Sequence, residues 1–171
     1  MSNWRKFRRL PAEEKAVFLE ALALLPVVRV GLKAFGLRRV QSVVGRGRDT
    51  GRSGAPVFGS TGISAGAPLH SEHSMEQDRA DYRARRTARL VAVAARYTGG
   101  TCLARSIVLA CLLERQEVSA QLRIGVRKGE NGLEAHAWVE AAGTTLNDGQ
   151  DVGERYAAFD RNFALARVNW R

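Results

Sequence analysis

The sequence predicts an α+β fold in which helices come first and an antiparallel sheet follows. Residues 11–36 and 72–115 carry apolar patterns that predict helices. From Ser119 the period changes to two, as apolar residues alternate with polar ones at Ala120, Leu122 and Ile124. A chain of 171 residues, 45% hydrophobic and 26% charged, suits one globular domain with a real core.

The N-terminal part of the chain is basic and apolar. Residues 1–52 hold 12 Arg or Lys against 4 acids, a net of 12 − 4 = +8 out of a formal +10. Residues 11–36 predict two helices, the first beginning at Pro11, with Pro26 between them and Gly36 as a cap. We expect them to pack on the rest of the chain or on a partner, with a membrane surface as a third option.

A glycine-rich stretch separates this basic region from the rest. Residues 45–69 hold seven glycines and two prolines with little periodicity, which is typical of a linker or a functional loop. The predicted organisation is a basic N-terminal helical arm at 1–44, a Gly/Ser-rich linker or loop at 45–71, and a core at 72–171. Within the core we predict helices at 72–97 and 102–115 and strands beginning at 119, 133 and 144. Residues 152–171 give no clear pattern.

The N-terminal sequence, the lengths of the apolar runs and the two cysteines bear on compartment and redox state. No signal peptide is recognisable, and no apolar run approaches the roughly 20 residues that span a bilayer. If Cys102 and Cys111 lie on one helix they are about 13 Å apart, too far for a disulfide. We therefore expect reduced thiols and a cytoplasmic protein.

No cofactor is expected, and a metal site is disfavoured. His70 and His73 lie in a polar stretch with only Glu72, Glu76 and Asp78 nearby. No cysteine and histidine spacing of the zinc type is present.

Cys102 is the first candidate for chemistry. It follows Gly99-Gly100-Thr101 and opens the apolar helix. The positive end of the helix dipole favours the thiolate, the nucleophilic form, and a backbone N–H there can stabilise an oxyanion. Buried cysteines are also ordinary core residues, and Cys111, deep in the same apolar run, is interpreted as one.

His136 and Asp148 are the candidates for base and acid. His136 lies on the predicted second strand, and Asp148 follows the next turn. A three-residue loop at 141–143 places the two residues opposite each other, with β-carbons about 5.5 Å apart. A two-residue loop at 142–143 places them on opposite faces of the sheet instead. A structural histidine and a simple turn aspartate remain the alternatives.

Four segments together carry a family resemblance: GTCLARSIVLACLL at 100–113, VSAQLRIGV at 118–126, AHAWVE at 135–140 and LND at 146–148. In these segments the chain resembles the B2 leader peptidases of lasso-peptide biosynthesis, a branch of the transglutaminase-like superfamily. The resemblance implies a papain/transglutaminase-like core with a central helix packed on an antiparallel sheet. It also implies a catalytic triad of Cys102, His136 and Asp148, with structural or supporting roles for Arg105 and Trp138.

The resemblance further implies the partners. The substrate is a precursor peptide, and a separately encoded leader-binding protein and an ATP-dependent macrocyclase act with the peptidase. On this interpretation nucleic acid is not an expected partner. Two alternatives remain open: an acyl-transferring enzyme with the same triad, and a non-catalytic module that binds a peptide or nucleic acid through the basic arm.

Overall fold

A computed structural model describes residues 10–44, 70–130 and 132–159. The stretch 45–69, interpreted above as a linker, and the tail from 160 onward lie outside the described residues. The elements in chain order are α1 (Ala12–Val44), α2 (His70–Thr98), α3 (Cys102–Arg115), β1 (Gln121–Gly129), β2 (Gly132–Ala141), β3 (Thr144–Thr145), α4 (Val152–Arg155) and β4 (Ala157–Ala158). Helices precede an antiparallel sheet, which confirms the predicted α+β class.

The N-terminal region forms one helix, so the prediction of two was wrong. Pro26 lies inside α1, and the helix also continues past Gly36. Proline removes one backbone hydrogen bond and crowds the preceding turn. The helix continues across it because Ala21 and Leu25, just before the proline, are fully buried in the core. Tertiary packing therefore outweighs the local signal.

α1 is tied to the other two long helices by charge as well as by packing. The Arg86 guanidinium on α2 donates to both carboxylate oxygens of Glu14, at 2.7 and 2.5 Å. Glu20 forms an ion pair with Arg115 at the end of α3. The described helix α1 thus packs on the rest of the chain, which is the first of the three options that the sequence allowed.

α3 is the central helix, as its apolar sequence predicted. Its buried residues belong to most sides of the helix: Ala104, Ser106, Ile107, Val108, Leu109, Ala110, Leu112 and Leu113. α2 begins at His70, two residues before the predicted start. His70, which the sequence placed in the linker or loop, therefore lies in the helix together with His73.

The sheet has the strand order β3-β2-β1-β4, and its described pairs are antiparallel. β1 and β2 pair along their whole length, with Gly125 opposite His136. Ala137 and Val139 on one face of β2 pack into the main core with α3. On the other face, Trp138 is fully buried in a small cluster with Val152 and Tyr156.

The β2–β3 turn is the shorter of the two that the sequence allowed. Glu140 pairs with Thr145, which leaves a two-residue loop of Ala142 and Gly143 instead of three residues. Both loop residues have positive φ, +47° and +74°, the backbone pattern of a tight hairpin turn. β3 ends at Thr145.

No helix in the described ranges is both long enough and apolar enough to cross a membrane.

Candidate active site

Cys102 is the first residue of α3, where the sequence placed it. Thr101 is the N-cap, with extended backbone angles (φ −69°, ψ 164°), and its hydroxyl accepts from the Ala104 N–H at 3.3 Å. The side chain of Cys102 is partly exposed, and the thiol is free. The nucleophile candidate therefore combines access from solvent with the positive end of a capped, 14-residue helix.

His136 and Asp148 are in direct contact, which confirms their predicted proximity. The Nε2 of His136 lies 2.5 Å from Oδ2 of Asp148, and both side chains are only about one-fifth exposed. The route differs from the predicted one, because the two-residue loop would place the pair on opposite faces if the ladder continued. The chain instead bends away from the sheet at residues 146–148.

Asn147 makes that bend possible. Leu146 still donates a ladder hydrogen bond to Val139 O at 2.9 Å. The next ladder position is taken by a side chain, since Val139 N–H donates to Asn147 Oδ1 at 2.8 Å. The amide side chain satisfies the strand while the backbone turns. Asp148 is thereby free to turn toward His136.

The Asp148 carboxylate is held by several donors. Its Oδ1 accepts from the Gly149 N–H at 2.7 Å and from the Arg155 guanidinium at 2.9 Å, while Oδ2 faces His136. Burial raises the pKa of Asp148, but the hydrogen bonds from Gly149, His136 and Arg155 together outweigh burial and hold it below its ordinary value. The acid therefore stays ionised and can orient an imidazole.

Aromatic rings enclose the imidazole. The Tyr156 ring lies 5.0 Å from that of His136, and the Trp138 ring stacks with it at 6.3 Å and 18° between planes. Arg127 covers the Tyr156 ring at 4.8 Å from its centroid. The Trp138 indole N–H donates to Glu140 at 2.7 Å, so its orientation is fixed as well. These contacts leave the histidine little rotational freedom.

Ser106 links the cysteine helix to the strand and loop of the other two residues. It is fully buried, donates to Ala137 O at 2.9 Å and accepts from the Asn147 side chain at 2.8 Å. Ser106 follows Cys102 by four residues, one turn on the same side of α3. Cys102 thus begins α3 on the side that faces the residue after His136.

The structure therefore brings His136 and Asp148 into contact, and Ser106 links α3, the helix that Cys102 begins, to the neighbouring strand and loop. In the part of the chain that the structure describes, the thiol itself forms no hydrogen bond with the imidazole. Catalytic hydrogen bonds often form only when substrate binds, so a role as nucleophile and base does not require that bond in the free protein.

Sequence reasoning missed Arg155, Tyr156 and the linking role of Ser106. Arg155 and Tyr156 lie in the C-terminal region that had no clear periodicity, so no pattern pointed to them. Ser106 carried a usable signal: a polar residue in the middle of a helix that is otherwise apolar on most sides needs a buried partner. Arg105 donates to Asn147 O at 3.0 Å, consistent with the supporting role implied by the resemblance.

The fold and these contacts define a class of protein: a thiol at a helix start, together with a strand histidine in contact with an aspartate of the loop that follows β3. A family model described as the transglutaminase-like superfamily matches residues 52–160. The chain belongs to the transglutaminase-like superfamily, whose domain indicates activity of the cysteine peptidase or acyltransferase type. Comparisons with curated proteins and with solved structures found no significant match.

Proposed function

We propose that this protein is a cysteine peptidase that removes the leader from a ribosomally made lasso precursor peptide before macrocyclisation. The observation that carries the enzymatic part is the 2.5 Å contact between His136 Nε2 and Asp148 Oδ2. The substrate rests on the resemblance of residues 100–148 to lasso leader peptidases.

The contact with Asp148 assigns the two imidazole nitrogens. An ionised carboxylate only accepts hydrogen bonds, so Nε2 of His136 carries a proton. In the neutral ring Nδ1 then presents its lone pair and can take the proton of the Cys102 thiol. Asp148 fixes this tautomer and stabilises the imidazolium that forms.

Acylation follows from these roles. The Cys102 thiolate attacks the carbonyl carbon of the bond between leader and core, and the resulting oxyanion is stabilised by backbone N–H groups at the start of α3. The C–N bond then breaks, and the amine of the core takes the proton from the His136 imidazolium. The leader remains on Cys102 as a thioester.

Deacylation restores the enzyme. His136 takes a proton from a water molecule, which attacks the thioester and releases the leader as a carboxylic acid. The sulfur leaves as the thiolate. Acyl transfer would use the same thioester with an amine in place of water, so the acceptor distinguishes the two reactions.

The test is leader release from the precursor peptide encoded beside this gene, in the presence of the neighbouring leader-binding protein. Wild-type protein, C102A and C111A are incubated with the precursor, and the products are weighed by mass spectrometry. We expect wild type and C111A to release the leader and C102A to leave the precursor intact. In heavy-oxygen water the released leader gains one heavy oxygen if water is the acceptor.

Two outcomes would contradict the proposal at different levels. Leader release by C102A at the wild-type rate would exclude Cys102 as the nucleophile. If wild-type protein leaves the precursor intact but forms a thioester on Cys102 with other acyl donors, the triad stands and the substrate is wrong. Joining of the leader to an added amine without heavy-oxygen uptake would favour the acyltransferase alternative.

A further inference from the structure

We propose that Arg29 of α1 is a positioning residue for the Cys102 nucleophile. It acts through the loop of residues 99–101, which joins α2 to α3. The inference rests on the proposed function for the role of Cys102. It extends the machinery of the site to α1, a helix that lies outside the residues matched by the superfamily domain.

Arg29 binds the end of α2 directly. Its Nη1 donates to Thr98 O and to Gly99 O, both at 3.1 Å. The last carbonyl groups of a helix lack partners within the helix, and they carry the negative end of its dipole. A cation that bridges two consecutive carbonyls therefore fixes the direction in which the chain leaves α2.

The two glycines of the loop fit closely against α1. Gly99 has φ +66°, and a Cβ there would lie 3.0 Å from Arg29 Nη1. A Cβ at Gly100 would lie 3.2 Å from Leu25 Cδ2, and Leu25 is fully buried. The absence of side chains at both positions is what lets α1 reach the loop backbone.

The loop is short, so a shift in it is passed directly to the thiol. Only Thr101 separates Gly100 from Cys102, and Thr101 is the N-cap of α3. The Arg105 side chain also lies near Gly100, with its Cγ 3.7 Å from the position of the missing Cβ. Arg105 in turn donates to Asn147 O. The loop is thus held between α1 and the segment that carries the acid.

α1 is held in place by contacts that do not involve Arg29. The Glu14–Arg86 hydrogen bonds secure it to α2 and the Glu20–Arg115 ion pair secures it to α3, more than two turns away from Arg29. Arg29 can therefore be changed without removing the contacts that dock the helix.

The experiment compares Arg29→Gln with a matched control, Lys33→Gln. Lys33 is an exposed cation one turn further along α1, so its loss changes the helix charge equally. The rate constant for alkylation of Cys102 by iodoacetamide is measured over a range of pH, and leader release is measured as kcat and KM. Because a small misplacement of a reacting group costs much of the rate, we expect R29Q to lower kcat and the alkylation rate about tenfold or more, with KM unchanged.

K33Q should react like wild type, and Arg29→Lys should restore most of the rate, because one ammonium group can reach the two carbonyls. Faster hydrogen exchange at the amides of residues 99–104 in R29Q, with unchanged exchange in β1 and β2, would locate the effect in the loop. Wild-type alkylation and kcat in R29Q would overturn the proposal. Global unfolding of R29Q would overturn it as well, since Arg29 would then support the fold as a whole.

Alkylation needs no precursor peptide, so this test separates the two proposals. If C102A still releases the leader, the proposed function fails whatever R29Q does. If C102A is inactive and R29Q alkylates and turns over normally, only the role of Arg29 fails.

Discussion

Gly125 and Trp138 lie in contact across β1 and β2. A Cβ at Gly125 would lie 2.9 Å from Trp138 Cη2 and 2.9 Å from the carbonyl oxygen of Ala157. Trp138 is fully buried and stacks with His136, which pairs with Gly125 in the sheet register. The missing side chain at Gly125 therefore lets the indole ring settle beside the imidazole.

The first prediction is that Gly125→Ala disturbs both stability and the site. Adding a methyl group to a filled space costs about 1–3 kcal/mol of unfolding free energy. Because the indole must shift, we also expect leader release to slow. The control is Gly129→Ala in the same strand, where the three atoms nearest to a Cβ all belong to the exposed, flexible Glu134 side chain. Urea unfolding measures the free energy of unfolding of the two variants. Equal losses in both would contradict the packing argument.

Ser106→Ala gives the second prediction. The substitution removes a donor to Ala137 O and an acceptor for the Asn147 side chain, both within a buried network. Leaving buried polar groups without partners costs about 1–3 kcal/mol in unfolding free energy. Because the network aligns α3 with β2, kcat should fall as well. Ser119→Ala, at an exposed position, should match wild type in both measurements.

The third prediction concerns the pH dependence of stability at Asp148. The hydrogen bonds from Gly149, His136 and Arg155 outweigh burial and lower its folded pKa below that of the unfolded chain. A depressed carboxyl pKa stabilises the fold above the unfolded value, near about pH 4, and this stabilisation is lost as pH falls through the folded value. Asp148→Asn should therefore cost about 1–3 kcal/mol at neutral pH and progressively less in acid.

Unfolding by urea at several pH values measures that trend. The control is Asp151→Asn, which removes another carboxylate bonded to Arg155, but one whose side chain is 59% exposed. Exposed pairs contribute little, so its unfolding free energy should stay close to that of wild type. A loss for D148N that stays constant from neutral to acid pH would show that ionisation of Asp148 does not stabilise the fold.

The sequence was sufficient to predict the elements that have a regular apolar periodicity. α3 and the strands β1 and β2 follow from apolar periods that extend over many residues, and burial of the matching faces enforces them. α1 was divided wrongly because Pro26 is a strong local signal, whereas the buried Ala21 and Leu25 on the same helix act through distant contacts. Local patterns do not contain that information.

The candidate site, like the fold, could be predicted from the sequence only in part. Cys102, His136 and Asp148 could be selected from residue type, order and resemblance. The contact between the last two depends on how Asn147 replaces a backbone partner of Val139, which no periodicity reveals. Both a two-residue and a three-residue loop use Gly143 at positive φ, so the sequence could not choose between them. Arg29 meets Gly99 across 70 positions in the chain, beyond the reach of any local motif.

The fourth prediction tests the turn. Gly143 has φ +74°, and a Cβ there would meet nothing within 4 Å, so Gly143→Ala changes only backbone strain. A non-glycine residue in the left-handed region costs about 1–2 kcal/mol, and the variant should lose about that much stability. Gly153→Ala, equally open but in α4, should lose nothing. Equal unfolding free energies of the two variants would contradict this account of the turn.

The last prediction separates the two cysteines by reactivity. Burial raises the pKa of Cys111 to about 11, and the nearby Glu114 carboxylate acts in the same direction. Since the thiolate is the reactive form, Cys111 is almost wholly protonated near neutral pH and should alkylate slowly. Cys102 is partly exposed at a helix start, so the reagent can reach its sulfur. We expect iodoacetamide to modify Cys102 first, as peptide mass mapping over time will measure.

Variants that lack one cysteine each show which thiol gives the fast phase of alkylation. C111A should keep the fast phase of alkylation and C102A should lose it, while guanidinium unfolding should make Cys111 react at the rate of an ordinary thiol. Because the slow reaction of Cys111 arises from burial, raising the pH toward about 11 in the folded protein should accelerate it as well. Equal labelling of both cysteines in the folded protein at neutral pH would contradict the assignment of Cys102 as the activated thiol.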